Sequence, residues 1–179
     1  DNKNYKKSIK YYSLALSKIE ENHPLIPKIL ERRGTSLERL GNWKDAEKDL
    51  LDSLKILPDQ PYVLNYLAYS WVEKKINIEK SLDMLLKANN LKKNDGYITD
   101  SVGWAYYMIG DYEKAEIFLR KAVELMPLDP VVNDHYADAL WKIKKKIQAR
   151  YFWKHVLSLK EADQELVDKI EKKLIFGVI

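Results

Sequence analysis

The chain has 179 residues, 46% of them hydrophobic and 32% charged, enough for one domain or one continuous array with a real core. Six glycines, six prolines and few alternating β-branched runs argue against a sandwich or barrel; no apolar run approaches the roughly 18 residues of a membrane span, and the lack of cysteine excludes disulfides, thiolate zinc sites and thiol nucleophiles. The 31 basic residues against 27 acidic ones leave a net charge of +4, too balanced for a surface that binds nucleic acid throughout.

Asp1 to Lys10 lack the basic start, apolar stretch and cleavage site of a secretory signal. The chain does not begin with Met and reads as a fragment, so any targeting segment would lie upstream and localisation is not set by these residues. Tyr5, Ile9, Tyr12, Leu16 and Ile19 follow helical three-and-four spacing, which predicts a helix over residues 1–20.

Beyond it the chain repeats itself with a period of 34 to 35 residues. Small residues recur at Gly34, Ala68, Gly103 and Ala137, again at Ala46, Ser81, Ala115 and Ala149, and again at Ser53, Ala88 and Ala122. Large apolar residues follow at fixed offsets: Leu37, Trp71, Tyr106 and Leu140 after the first series, Leu50, Leu85, Leu119 and Trp153 after the second. A small side chain leaves a hole that a bulky one from a neighbouring helix fills, so the series predict closely packed helices. The prolines fall in three pairs, Pro24 with Pro27, Pro58 with Pro61 and Pro127 with Pro130, each at a joint between repeats, where a first helical turn tolerates proline. Shorter turns at Gly41-Asn42, Lys75 to Asn77, Gly110-Asp111 and Lys144 to Lys146 divide each repeat into a helical hairpin.

The run VGWAYYMIGDYEKAEIFLRKAVELMPLDP resembles a tetratricopeptide repeat through Gly103, Tyr106, Ala115, Leu119, Ala122 and Pro127. Residues 27–60 match through Gly34, Leu37, Ala46, Leu50 and Pro58; residues 61–95 carry one extra residue near the turn, and 130–159 lack the closing proline. The resemblance implies an all-α superhelix, a single array over 1–179, with 1–20 as the second helix of a truncated repeat, repeats at 27–60, 61–95, 96–129 and 130–159, and a capping helix at 161–175 with its stripe on Leu166, Ile170 and Leu174. The apolar end Leu174 to Ile179 is expected to fold back on the last repeat or to mark a contact. The runs DGYITDSVGWA and VNDHYADALWK resemble the C-terminal repeats of larger bacterial tetratricopeptide proteins, some of which work in the cell envelope.

Such arrays bind partners along the first helices of their hairpins, and the resemblance implies partner-binding residues Tyr62, Asn65, Tyr69, Tyr97, Asp100, Trp104, Tyr107, Asp134, Asp138 and Trp141. Carboxylates beside aromatic rings suit a cationic or amphipathic peptide, because ring faces attract cations and bury large areas. Tyr106, Trp71 and Trp153 are expected to pack between hairpins instead. Asp134, His135 and Asp138 lack a recognised metal-ligand arrangement, and the sequence carries no P-loop, dinucleotide glycine run or nucleophile elbow, so neither metal, cofactor nor catalysis is expected. The alternative is a structural subunit of an envelope assembly, held through the apolar end and the basic run from Lys142 through Lys144, Lys145, Lys146 and Arg150 to Lys154. Membrane-surface contact through that run is not favoured and nucleic acid less so, since Asp134 and Asp138 would dilute its field. Self-association through the ends of the array stays open.

Overall fold

The computed structural model describes residues 2–178, and the described residues form ten α-helices. These are α1 (Asn2–Lys18), α2 (Ile26–Arg39), α3 (Trp43–Ile56), α4 (Pro61–Glu73), α5 (Ile78–Leu91), α6 (Gly96–Met108), α7 (Tyr112–Leu125), α8 (Pro130–Lys142), α9 (Lys146–Ser158) and α10 (Gln164–Phe176). Pro27, Pro61 and Pro130 each stand in a first helical turn, while Pro24, Pro58 and Pro127 lie in the joints just before. Aspartates cap four helices: Asp95, Asp111, Asp129 and Asp163 accept backbone N–H bonds at the starts of α6, α7, α8 and α10. The chain divides within α4 into two compact units, residues 1–67 and 68–179.

In the first unit α2 and α3 approach so closely that a Cβ on Gly34 would lie 3.1 Å from both the Ala46 carbonyl oxygen and Leu50 Cγ. Leu50 is fully buried there. The Arg33 guanidinium grips Asp49 with two bonds, Nε to Oδ2 at 2.6 Å and Nη2 to Oδ1 at 2.8 Å, and its Nη1 donates to Ser13 on α1 at 3.1 Å. The Ser53 hydroxyl donates to the Pro27 carbonyl at 2.8 Å in the interior.

The second unit repeats the device at Gly103, whose added Cβ would fall 2.5 Å from Leu119 Cγ on α7. One core gathers Ala68, Val72, Leu85, Val102 and Ala105; a larger one gathers Leu119, Ala137, Leu140, Ala149, Trp153 and Ile170, and α10 closes it with Leu166 and Leu174 packed alongside. Trp71 and Trp153 are buried, and Tyr106 stacks on Phe118, as interhelical packing requires. Left-handed turns follow the repeat period, at Gly41 and Gly110, at Asn77, which tolerates that conformation, and at Lys75 and Lys144, where the side chain makes it costly. The apolar end is divided: Leu174, Gly177 and Val178 pack inward, Ile175 and Phe176 face outward, and Ile179 lies outside the described residues.

Candidate functional site

Of the candidate residues on α6 and α8, Asp100, Trp104, Tyr107, Asp134 and Asp138 converge on one cluster. His135 of α8 meets Asp100 and Trp104 of α6, while Asp134 and Asp138, four apart and so on one face of α8, both turn to Lys173 of α10. His135 Nδ1 lies 3.0 Å from both carboxylate oxygens of Asp100. Its ring stacks on Trp104 at 4.0 Å between centroids, and Trp104 stacks in turn on Tyr107 at 4.7 Å. The Trp104 indole N–H donates to Glu73 Oε1 at 2.7 Å, which fixes the ring. Tyr107 meets Tyr112 edge-on.

The carboxylates of α8 are already bound to a cation. Lys173 of α10 donates to Asp134 Oδ1 and Oδ2 at 2.7 and 2.8 Å and to Asp138 Oδ2 at 2.8 Å, while the Trp153 indole donates to Asp138 Oδ1 at 3.1 Å. Asp100, Asp134, His135 and Asp138 are all at least nine-tenths buried. They are therefore interior charges, whereas the resemblance implies that Asp100, Asp134 and Asp138 face a partner. Sequence reasoning missed Lys173. A signal was present, since Lys173 stands three residues after Ile170 and so shares the buried stripe of α10.

Burial opposes the charged form of His135, yet Asp100, with Asp134 and Asp138 behind it, outweighs that cost and raises the imidazole pKa above its ordinary value. Asp138 is pushed up to about 6, first by burial and then by Asp134, with Lys173 and His135 pulling the other way. Burial also raises the Tyr69 and Tyr107 hydroxyls, reinforced by Glu73 and by Asp138 respectively. The negative field thus reaches past the ion pairs.

Beside the cluster lies a cavity of about 360 Å³, walled by Tyr69, Glu73, Trp104, Val131, His135 and Leu166. Asp134, Asp138, Glu161, Asp163 and Glu165 also line it, against Lys169 and Lys173, and Lys169 is paired with Glu165. Carboxylates outnumber cations at its wall. Among the described residues no three His, Asp or Glu groups are arranged to hold a metal ion; the Lys173 ammonium is the cation between Asp134 and Asp138.

The other candidates lie apart from this cavity's wall. Tyr97 is 61% exposed on α6. Trp141 sits against Gly177, where a Cβ would fall 2.1 Å from the indole, lies 5.3 Å from the Trp153 ring, and carries Lys146 and Arg150 over it at 4.9 and 5.7 Å. Its ring is committed to the closing helix. Tyr62 and Asn65 belong to the first unit, where Tyr62 lines a separate cavity of about 530 Å³ with Lys28, Glu31, Arg32 and Gln60. Asn65 Oδ1 is buried there without a hydrogen-bond donor.

Helical hairpins locked by glycine against leucine and closed by an apolar-faced helix define the class: the fold is a tetratricopeptide-repeat solenoid. The tetratricopeptide repeat family model matches residues 101–129, the third hairpin. Over 99 residues, 55% of this chain, the sequence is 31% identical to a TPR repeat-containing protein of Pseudomonas aeruginosa, and the match spans 17% of that relative's length. Among solved structures, a thermophilic TPR protein of Thermus thermophilus superposes with a TM-score of 0.76 at 18% identity, covering 96% of this chain and 91% of the other. MamA from Desulfovibrio magneticus, from residue 41 to its end, gives 0.74 at 19% identity, covering 89% and 88%. These proteins share the fold, and that fold suggests a protein–protein interaction scaffold; repeat proteins of this class are generally non-catalytic.

Proposed function

We propose that the second unit binds a cationic or amphipathic peptide segment of a protein partner, with a Lys or Arg side chain entering the cavity beside Trp104 and His135. The observation that carries this reading is the charge imbalance at the cavity wall, where Lys173 bonds Asp134 and Asp138, while Glu161, Glu73 (which accepts the Trp104 indole N–H) and Asp163 (which caps α10) add negative charge for an incoming cation. Trp104, Tyr69, Val131 and Leu166 supply apolar surface for the stem of that side chain and for an apolar neighbour. Because Trp104 is held by Glu73 and stacked on His135 and Tyr107, the pocket is preorganised and little ordering entropy is lost on binding.

Displayed random peptides selected on the intact chain and counter-selected on a Trp104→Ala, Glu73→Gln variant test this. Recovery of sequences that interleave Lys or Arg with apolar residues and bind the variant at least tenfold more weakly is expected, the loss of about 1.4 kcal/mol or more that an anchor residue gives. Acidic consensus sequences, or equal binding to both proteins, would overturn the reading.

A further inference from the structure

We infer that the end of the second unit formed by α9 and the last turn of α10 docks on an anionic lipid bilayer. This surface is distinct from the acidic cavity. Ile147 is 87% exposed, more than any other large apolar side chain among the described residues, and Tyr151 follows one turn later at 68%. Ile175 and Phe176 project from the end of α10 at 68% and 72%. The two helices are tied here: Arg150 donates to the Leu174 carbonyl, and Lys146 and Arg150 lie over Trp141, whose ring rests on Gly177. Those contacts set the last turn of α10, which carries Ile175 and Phe176, beside the stretch of α9 that carries Ile147 and Tyr151.

A basic row runs through the same place. Lys146, Arg150 and Lys154 recur every fourth residue along α9, Lys144 precedes them in an exposed left-handed turn, and Lys172 is exposed on α10. Between Asp138 and Glu161 the chain carries no acidic residue. On spacing alone, Asp134 and Asp138 would weaken this field. The structure weakens that objection without cancelling it, because both carboxylates are buried and share the charge of Lys173, which leaves less of their field at the exposed row. Lys145 is partly offset by Glu116 at 3.5 Å and is left out of the row.

Protruding isoleucine, tyrosine and phenylalanine within a lysine belt match the interfacial zone of a bilayer, where apolar groups enter the acyl boundary and ammonium groups meet headgroup phosphates. A protein partner fits less well, since interface cores are depleted in lysine, which dominates this row. A nucleic acid would use the charges but leave Ile147 and Phe176 without a role.

Flotation of the full chain with vesicles of phosphatidylcholine containing about a third phosphatidylglycerol tests the inference, with pure phosphatidylcholine vesicles and a duplex DNA oligonucleotide as comparisons. Binding to the anionic vesicles that weakens steeply with salt is expected. Replacing Lys144, Lys146 and Lys154 by Gln should weaken it about a hundredfold, near fivefold per charge. An Ile147→Ser, Phe176→Ser variant should lose about tenfold while keeping its charge. All five positions are exposed, and circular dichroism checks that the variants fold. Failure to float with anionic vesicles, equal binding to neutral ones, indifference to the serine pair, or tighter binding to DNA would each overturn the inference. None of these outcomes touches the peptide pocket, whose residues are unchanged.

Discussion

Each unit buries charge, but the two clusters are built differently. In the first, one guanidinium meets one carboxylate in a two-bond fork, with Ser13 taking a further donor, and the smaller cavity of about 270 Å³ beside it adds Lys48 against Asp45, so the charges balance. In the second, Asp100, Asp134 and Asp138 meet His135 and Lys173 across three helices and open onto a cavity whose wall carries further carboxylates. Balanced buried charge fixes helix packing. Unbalanced buried charge beside a cavity leaves attraction for something else.

The sharpest way to break that contrast is Lys173→Ala, which strands two buried carboxylates. It should cost about 3 to 5 kcal/mol in urea unfolding of the second unit. A loss below about 1 kcal/mol would mean that water already serves Asp134 and Asp138. Asp49→Ala should cost less, about 2 to 3 kcal/mol, because Arg33 retains some access to solvent, and it should leave peptide binding unchanged.

The pH dependence should also divide the two. With both pKa values raised in the folded state, His135 and Asp138 bind protons more tightly there than in the unfolded chain, so stability falls as pH rises. The Asp138 contribution is present below about pH 4 and lost through about 6; that of His135 is present below its ordinary value and lost through its raised one. Asp138→Asn keeps an acceptor for Trp153 but cannot ionise. Its destabilisation should therefore shrink as pH rises from 4 to 7, by on the order of 2 kcal/mol in paired denaturation curves, and a constant difference would refute the assignment.

The smallest expected effect is Lys75→Gly, which relieves a left-handed backbone at φ 56° and should raise the melting temperature by the equivalent of about 0.5 to 1 kcal/mol. An unchanged or lower melting temperature would show that the turn is not strained.

Much of the fold was legible because close packing writes itself into residue size: Gly103 faces Leu119 where a Cβ would not fit, and Gly34 faces Leu50 where one would fit only tightly. The helical joints were legible because proline is confined to first turns and loops. The site was legible only in part. Helical periodicity puts Asp134 and Asp138 on one face, and the repeat period brings Asp100 to His135, but neither period reaches α10, which lies outside the repeats. Lys173 therefore entered as a tertiary contact 35 and 39 residues from its partners. Trp141 shows the same limit, since its neighbour Gly177 is set by how the last helix closes.

The central claim is that the open cluster of the second unit accepts a cationic side chain. The most direct measurement is an NMR titration of the chain, following the Trp104 indole N–H and the His135 ring, with a short peptide alternating Lys or Arg with Leu and with its Glu-substituted counterpart. Saturable shifts of both signals with the cationic peptide alone are predicted. Shifts confined to other residues, or equal response to the acidic peptide, would contradict the account.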